Sequence, residues 1–560
     1  MRLAAGLAVA VAVAVLVLFV ALGVPPGHSA ALNLSWSRHF TEALSWSDPY
    51  PRHLPGLWAG FGGNDFFFYA PLPFWLVAVL VAPLCAGCGA ETEFVLGAAL
   101  FLALSGLTCH AFLRSFFSPG AAAVGALVYV ILPYHLLLDW VARQAVGEFA
   151  AFAFLPLVAL GVERLRRGRG GGLALSLGVA GTALSHLPTA LLAAHVFAIL
   201  CLFLILGGNG PARHRVTLFA LVVWRAGLGL MLAALYWLPA IVLLDRVSPD
   251  LLFTPYFEPW NWLFGAGTDP LGEGFVAGVV ICLVGAAPIL LAALVHARGA
   301  TLVWIVVPIA VALGLNLWLA EPIWRHWIIS KVQFPWRLMI FVDLATSVAA
   351  ATLVACAVGR AGRLTLIAVA IAAAIPYALL SRSIDLVGPP HPATGGGITW
   401  IGAMEYLSPE TVEAVLRRLG QAEITYFDMV PVARTMAEMA GDFRAAGLGG
   451  EVIDRGVRSI TLRPQPGQDV LSAPVLYWDL WRAEGPDGAP LRLRANENYG
   501  TIDIQAPEGG FGGGPVTLRL ARHWSEWTGL GLSCVALILL AIGWRRGRAT
   551  GQMAGPAADG

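Results

Sequence analysis

The 560-residue sequence predicts an all-α polytopic membrane protein of about 12–13 transmembrane helices, with a small extracytoplasmic β-rich domain before the last helix. Three observations carry that expectation. Hydrophobic residues make up 58% of the chain and charged residues only 12%, with mean hydropathy +0.74. That is more apolar surface than a soluble fold can bury, so lipid solvates most of it. The apolar residues fall in blocks long enough to cross ~30 Å of hydrocarbon. Between about 381 and 525 those blocks stop and charge rises. The chain therefore divides into a multi-span core over 1–380, with a first outer loop at 24–70; an α+β domain over 381–525; a final transmembrane helix at 526–548; and a cytoplasmic tail at 549–560, expected to be disordered.

The elements follow in order. "MRLAAGLAVAVAVAVLVLFVALG" is a basic start on a long apolar run, read as a retained first span, with a cleaved signal peptide as the alternative. Further spans are expected near 94–113, 118–134, 147–162, 172–186, 187–207, 217–240, 274–295, 300–318, 337–358, 363–380 and 526–544. Arginine clusters orient them. "ERLRRGRGG", "PARHR", "HAR", "GRAGR" and "WRRGR" are assigned to the cytoplasm, which leaves 135–146, the turn near 186 and loops 241–273, 319–336 and 381–525 on the far side. Arg114 also belongs inside, so 71–93 must enter and leave by one face. "PLPFWLVAVLVAP", short and flanked by prolines, reads as a re-entrant or membrane-surface helix, a full crossing being the alternative. In 381–525, "TVEAVLRRLG" has helical spacing, whereas "RSITLRP", "APVLYWDLW", "LRLRANENYGTIDIQAP" and "PVTLRLA" alternate between turn residues as strands do.

Net charge is +1, which excludes a basic nucleic-acid surface; no nucleic-acid partner is expected. Cations are arginines almost throughout, Lys331 being the single lysine. The seven cysteines lie mostly in apolar runs and read as small hydrophobes; "CAGC" at 85–88 is a weak redox or metal signal.

Polar side chains gather on one face. The first loop offers Glu42, Asp48, Arg52, Asp65 and Tyr69; the loop after 134 adds Asp139, Arg143 and Glu148; the turn "LSHLPT" adds His186. Loop 319–336 and its end contribute Lys331, Gln333 and Arg337, and "AMEYLSP" supplies Glu405 and Tyr406. Charges near a bilayer line watery cavities or pair with one another, so convergence from five segments points to a polar cavity. Each also has a plainer reading. Asp48 in "SDPYP" suits a turn, "FFFY" suits an interfacial aromatic belt, and Asp139 and Arg143 are spaced to pair on one helix face.

Several of these stretches resemble the YfhO-like, 6-pyruvoyl-tetrahydropterin-synthase-related bacterial membrane proteins, a branch of the GT-C glycosyltransferase superfamily. The first loop, "LSWSRHFTEALSWSDPYPRHLPGLWAGFGGNDFFFYAPLPFW", is similar to that family's Y-P-R-W-x-P and G-x-G-x-P-x-F-x-F-Y-x-P-L pattern. "VQFPWRL" at 332–338 resembles its Q-F-P-W-R signature, "DWVARQAVGEF" its R-G-A-x-x-E-F element, with Gln144 in place of glycine, and "MEYLSP" its E-Y-L-P element, with Ser408 inserted.

The resemblance implies a GT-C-like core in a bacterial cytoplasmic (inner) membrane, with its active face extracytoplasmic. The reaction it implies is transfer of a sugar from a polyprenyl-phosphate-linked donor to an envelope glycan or lipid acceptor, among membrane lipids. Asp48 or Glu42, with Asp65 as a third choice, would act as base toward the acceptor hydroxyl or bind a divalent cation as cofactor. Arg143, Lys331 and Arg337 would hold the phosphate, and Arg52, Tyr69, Asp139, Glu148, His186, Gln333, Glu405 and Tyr406 complete the expected substrate-binding set. One departure stands out: where relatives read G-H-D and a second histidine, "GHSAALNL" has Ser29 and Asn33. That leaves a non-catalytic protein that binds or moves a lipid-linked glycan as the alternative.

Overall fold

A computed structural model describes residues 27–382 and 400–553, apart from 86, 253, 267–269, 327, 358 and 426–427. The expected first span lies outside the described residues. The remaining apolar blocks are helices: Ala90–Leu113, Pro119–Ala142, Val146–Arg166, Gly172–Ser185, Leu187–Leu206, Ala212–Leu232 continuing into Ala234–Val242, Pro270–Leu294, Gly299–Asn316, Pro335–Cys356, Gly359–Arg382 and Trp524–Met553. Among the described residues, nine helices are long and apolar enough to cross a membrane, and the chain is a multi-pass membrane protein.

Several boundaries have local causes. Ser118 accepts a hydrogen bond from the Ala121 N–H at 3.4 Å, with Pro119 in the first helical turn where its missing donor costs nothing. The next break is set by Leu132, held extended by Pro133, as residues before proline are. The helix resumes at Tyr134–Ala142 with wider π-type turns, which swings its polar side chains inward.

The Leu72–Cys85 stretch is helical but short for a crossing. Its Val77 packs tightly against Gly97, two turns into the Ala90–Leu113 helix. The sulfurs of Cys85 and Cys88 beside it are in contact.

The C-terminal unit has helices Pro409–Leu419 and Met429–Ala445 and eight strands: β1 Glu451–Arg455, β2 Ser459–Arg463, β3 Val470–Leu476, β4 Trp481–Glu484, β5 Pro490–Leu491, β6 Leu493–Ala495, β7 Thr501–Gln505 and β8 Val516–Leu520. They form two antiparallel sheets, ordered β1-β2-β8-β4-β5 and β3-β7-β6. Ile460, Leu462, Leu471, Ile502, Ile504, Val516 and Leu518 are buried in one apolar core, which also takes in Phe67 and Phe68 of the first loop.

That loop is the hub of the molecule. After helix Ala30–Ala43 it is pinched by paired backbone bonds between Leu54 and Gly63, at 2.8 and 3.1 Å. Gly62 makes the turn at φ +79°, a region that glycine occupies at low cost. Phe66 and Phe67 are fully buried and Phe68 nearly so, against Trp36, Phe40, Trp478 and Tyr406. Phe66 thus packs with the helices of the C-terminal unit and Phe67 and Phe68 with its strands, in place of the interfacial belt expected from the sequence.

Candidate active site

Two buried ion-pair networks occupy this end of the bundle. The first is built on three helices. Arg143 donates from Nη1 to Asp139 Oδ1 at 2.8 Å and to Glu148 Oε2 at 2.9 Å. Arg337 brings its Nε to 3.3 Å from the same Glu148 oxygen, and the Tyr134 hydroxyl donates to Glu148 Oε1 at 2.6 Å. Asp139 and Glu148 are fully buried, Arg143 and Arg337 nearly so. Two guanidinium groups and two carboxylates balance in charge, which is what permits them inside an apolar bundle. Gln333 adds to the frame: Arg337 lies 3.5 Å from its Oε1 and also donates to the Val332 carbonyl.

The chain meets this network at its first described residues. His28 and Ser29 donate backbone bonds to the Ala142 and Arg143 carbonyls at 3.0 and 2.9 Å, and Asn33 Nδ2 donates to the Gln144 carbonyl at 2.8 Å. Ser29 and Asn33 therefore dock the Ala30–Ala43 helix onto the turn that presents Arg143. Across from it, a methyl group on Gly147 would lie 3.4 Å from both the Tyr69 hydroxyl and the His186 ring. Tyr69 and His186 thus border the arginine pair. His186 itself caps the Leu187 helix through Thr189, its Nδ1 at 2.7 Å from Oγ1.

The second network ties the loop to the C-terminal unit. Glu526, at the head of the last helix, takes Arg52 Nε at 3.1 Å and Arg458 Nη2 at 2.5 Å. Asp48 lies 3.6 Å from Arg458 Nε, and burial pushes its carboxyl above the usual range. Arg52 also donates to the Leu235 carbonyl at 2.6 Å and covers the Tyr50 ring at 3.8 Å.

The expected site residues therefore divide. Asp139, Arg143, Glu148, Gln333 and Arg337 converge, with Tyr69 and His186 at their edge. Asp48 and Arg52 serve the second network. Glu42 is half exposed and pairs with Arg38 and His39 on its own helix at 2.9 Å. Lys331 is exposed on the turn before Arg337.

Asp65 is buried, accepts from Trp36 Nε1 at 2.8 Å and from the Ala403 N–H at 2.7 Å, and so fastens segment 400–406 to the loop. Burial raises its carboxyl to about 6. Glu405, partly accessible, is pushed up to about 7 by burial first and the Asp65 charge second. The Tyr69 hydroxyl feels the charges of Arg337, Arg143 and Glu405, in that order of strength, after its burial. Tyr406 stacks on Phe68 at 5.3 Å.

Three participants escaped the sequence reading: Tyr134, Glu526 and Arg458, the last with no local signal. Tyr134 is signalled only by the Leu-Pro break before it. Glu526 is signalled by a carboxylate at the head of an apolar helix, an expensive position unless paired. Among the described residues, no group of three or more His, Cys, Asp or Glu is gathered to hold a metal ion.

No family model and no curated protein matches the chain. Solved structures do show similarity. Arabinofuranosyltransferase AftD from Mycobacteria aligns at TM-score 0.44 and 15% identity over 93% of this chain, which spans only 40% of AftD. The oligosaccharyltransferase of Archaeoglobus fulgidus aligns at TM-score 0.39 and 12% identity, covering 75% of this chain and 58% of that one. ArnT from Cupriavidus metallidurans, solved bound to undecaprenyl phosphate, aligns at TM-score 0.42 and 14% identity, covering 89% of this chain and 97% of ArnT.

Proposed function

We propose that this protein is a GT-C-type, YfhO-like membrane glycosyltransferase that transfers a sugar from a polyprenyl-phosphate donor to an envelope acceptor on the extracytoplasmic face. The observation that carries the reading is the buried Arg143–Glu148–Arg337 arrangement, with Tyr69 and His186 at its edge. The bonds of Arg143 to carboxylates all leave from Nη1, and a guanidinium has five donors. Its remaining N–H groups suit a phosphate oxygen, with Glu148 and Asp139 holding the fork in position.

Glu405 is the carboxylate best suited to act as base, since a pKa near the working pH favours proton transfer. It would take the acceptor's hydroxyl proton as that oxygen attacks the anomeric carbon. The bond from sugar to phosphate oxygen breaks, and the carrier phosphate leaves with its charge held by Arg143 and Arg337. Asp48 and Glu42 are engaged with other partners, which makes them weaker choices for this role.

The test is glycan and lipid analysis of a deletion strain complemented with Glu405→Gln, Arg337→Lys or Glu42→Gln, at matched membrane levels of each variant. Glu405→Gln and Arg337→Lys should accumulate undecorated acceptor together with unused lipid-linked sugar, while Glu42→Gln restores the wild-type profile. Restoration by all three would overturn the proposal.

A further inference from the structure

At the end of the bundle opposite the β-rich unit, a cavity of about 280 Å³ is lined by Ala111, Arg114, Ser115, Arg164, Arg167 and Arg169. Its charge is unbalanced. Fully buried Glu163, on the same helix as Arg164, is taken by Arg166 at 2.6 Å and Arg167 at 2.5 Å. Arg167 also lies 4.8 Å over the Phe116 ring. Among the described residues, Arg114, Arg164 and Arg169 form no ion pair; Arg114 donates only to the Phe117 carbonyl. The turn that carries Arg169 folds back through Gly168, Gly170 and Gly171, all at positive φ, and Arg169 N–H bonds to the Arg164 carbonyl at 2.9 Å. Three guanidinium groups are thus held around one hollow without a counter-charge.

The flank of this hollow distinguishes a lipid from a soluble anion. Leu100, Leu104, Leu107, Ala111 and Arg114 recur at helical spacing along one face of Ala90–Leu113. All five are partly or fully exposed, so an accessible apolar stripe runs up to the cationic hollow.

We propose that this cavity binds the headgroup phosphate of an anionic glycerophospholipid from the adjoining leaflet, with an acyl chain laid along Leu107 and Leu104. Purified protein in phosphatidylcholine nanodiscs doped with photoactivatable phosphatidylglycerol should crosslink within 104–117 and 164–169. This measurement is made on the unaltered chain. The triple variant Arg114→Gln/Arg164→Gln/Arg169→Gln should bind phosphatidylglycerol about a hundredfold more weakly, at a weight of roughly fivefold for each basic side chain near an anionic surface. Wild-type crosslinks scattered over the bundle would overturn the proposal, as would equal retention of phosphatidylcholine. Full competition by soluble glycerol phosphate would overturn it too, because the site would then be one for a free anion.

Discussion

Replacing Glu148 by glutamine tests the arginine arrangement directly. In the native site Oε2 faces Arg143 at 2.9 Å and Arg337 at 3.3 Å, while Oε1 accepts from Tyr134 at 2.6 Å. Glutamine keeps one acceptor and turns the other oxygen into an NH₂ donor. If the amide oxygen stays with Tyr134, the NH₂ group points at two guanidinium groups. Asp139 is then the only carboxylate left for both cations. Breaking a buried pair in this way costs about 3–5 kcal/mol, because an uncompensated charge stays in a low-dielectric interior. The matched control is Glu42→Gln, whose pairs are half exposed and worth about 0–1 kcal/mol. Thermal unfolding in detergent should separate the two variants clearly. Arg143→Met should be destabilising alone, and less so in the Glu148→Gln background, with a coupling of about 1–3 kcal/mol in the double-mutant cycle. The reasoning fails if Glu148→Gln unfolds with wild type, or if the two substitutions add within about 0.5 kcal/mol.

Other outcomes follow from neighbouring residues. Because burial raises Asp65 from 3.8 to about 6, the native state binds more protons than the unfolded chain between those values. Stability should therefore fall as pH rises through that window, by about 3 kcal/mol. Asp65→Asn should flatten the stability–pH curve there, and an unchanged slope would refute the assignment. Gly62→Ala puts a methyl 2.6 Å from the His53 ring at φ +79°, whereas Gly60→Ala at φ +95° meets open space. Thermal unfolding should show the first costing more than the second, which carries only about 1–2 kcal/mol of backbone strain. Glu526→Gln should make residues 400–525 markedly more sensitive to limited proteolysis, since it loosens both Arg52 and Arg458.

The helical framework was open to reading because the bilayer imposes a length and a polarity on every crossing. The α+β segment showed itself by losing both. The i,i+4 spacing of Asp139 and Arg143 announced a pair, and the structure contains it. Its extension to Arg337 was not accessible to any local pattern, as the two arginines lie far apart in sequence and meet at Glu148. Spacing also holds the reason for Glu42's position: Arg38, His39 and Glu42 satisfy one another within a single turn, as a solvated face does. For Asp48, the partner is on the far side of the sequence in β-rich territory, so its turn-like surroundings said nothing of Arg458. The aromatic run was ambiguous for a different cause. Rings look alike in sequence whether they face headgroups or each other, and only the neighbouring Trp478 and Tyr406 decide between the two.

The bond from Arg52 to Glu526 joins the first loop to the head of the Trp524–Met553 helix. During biosynthesis the loop emerges long before the carboxylate that fixes its arginine. The loop must wait, with a cation lacking its counterpart, until the final helix has inserted. Assembly at this face is thus withheld until the Trp524–Met553 helix has been made. Truncations that remove only the closing helix should leave the membrane bundle in place while the loop never settles.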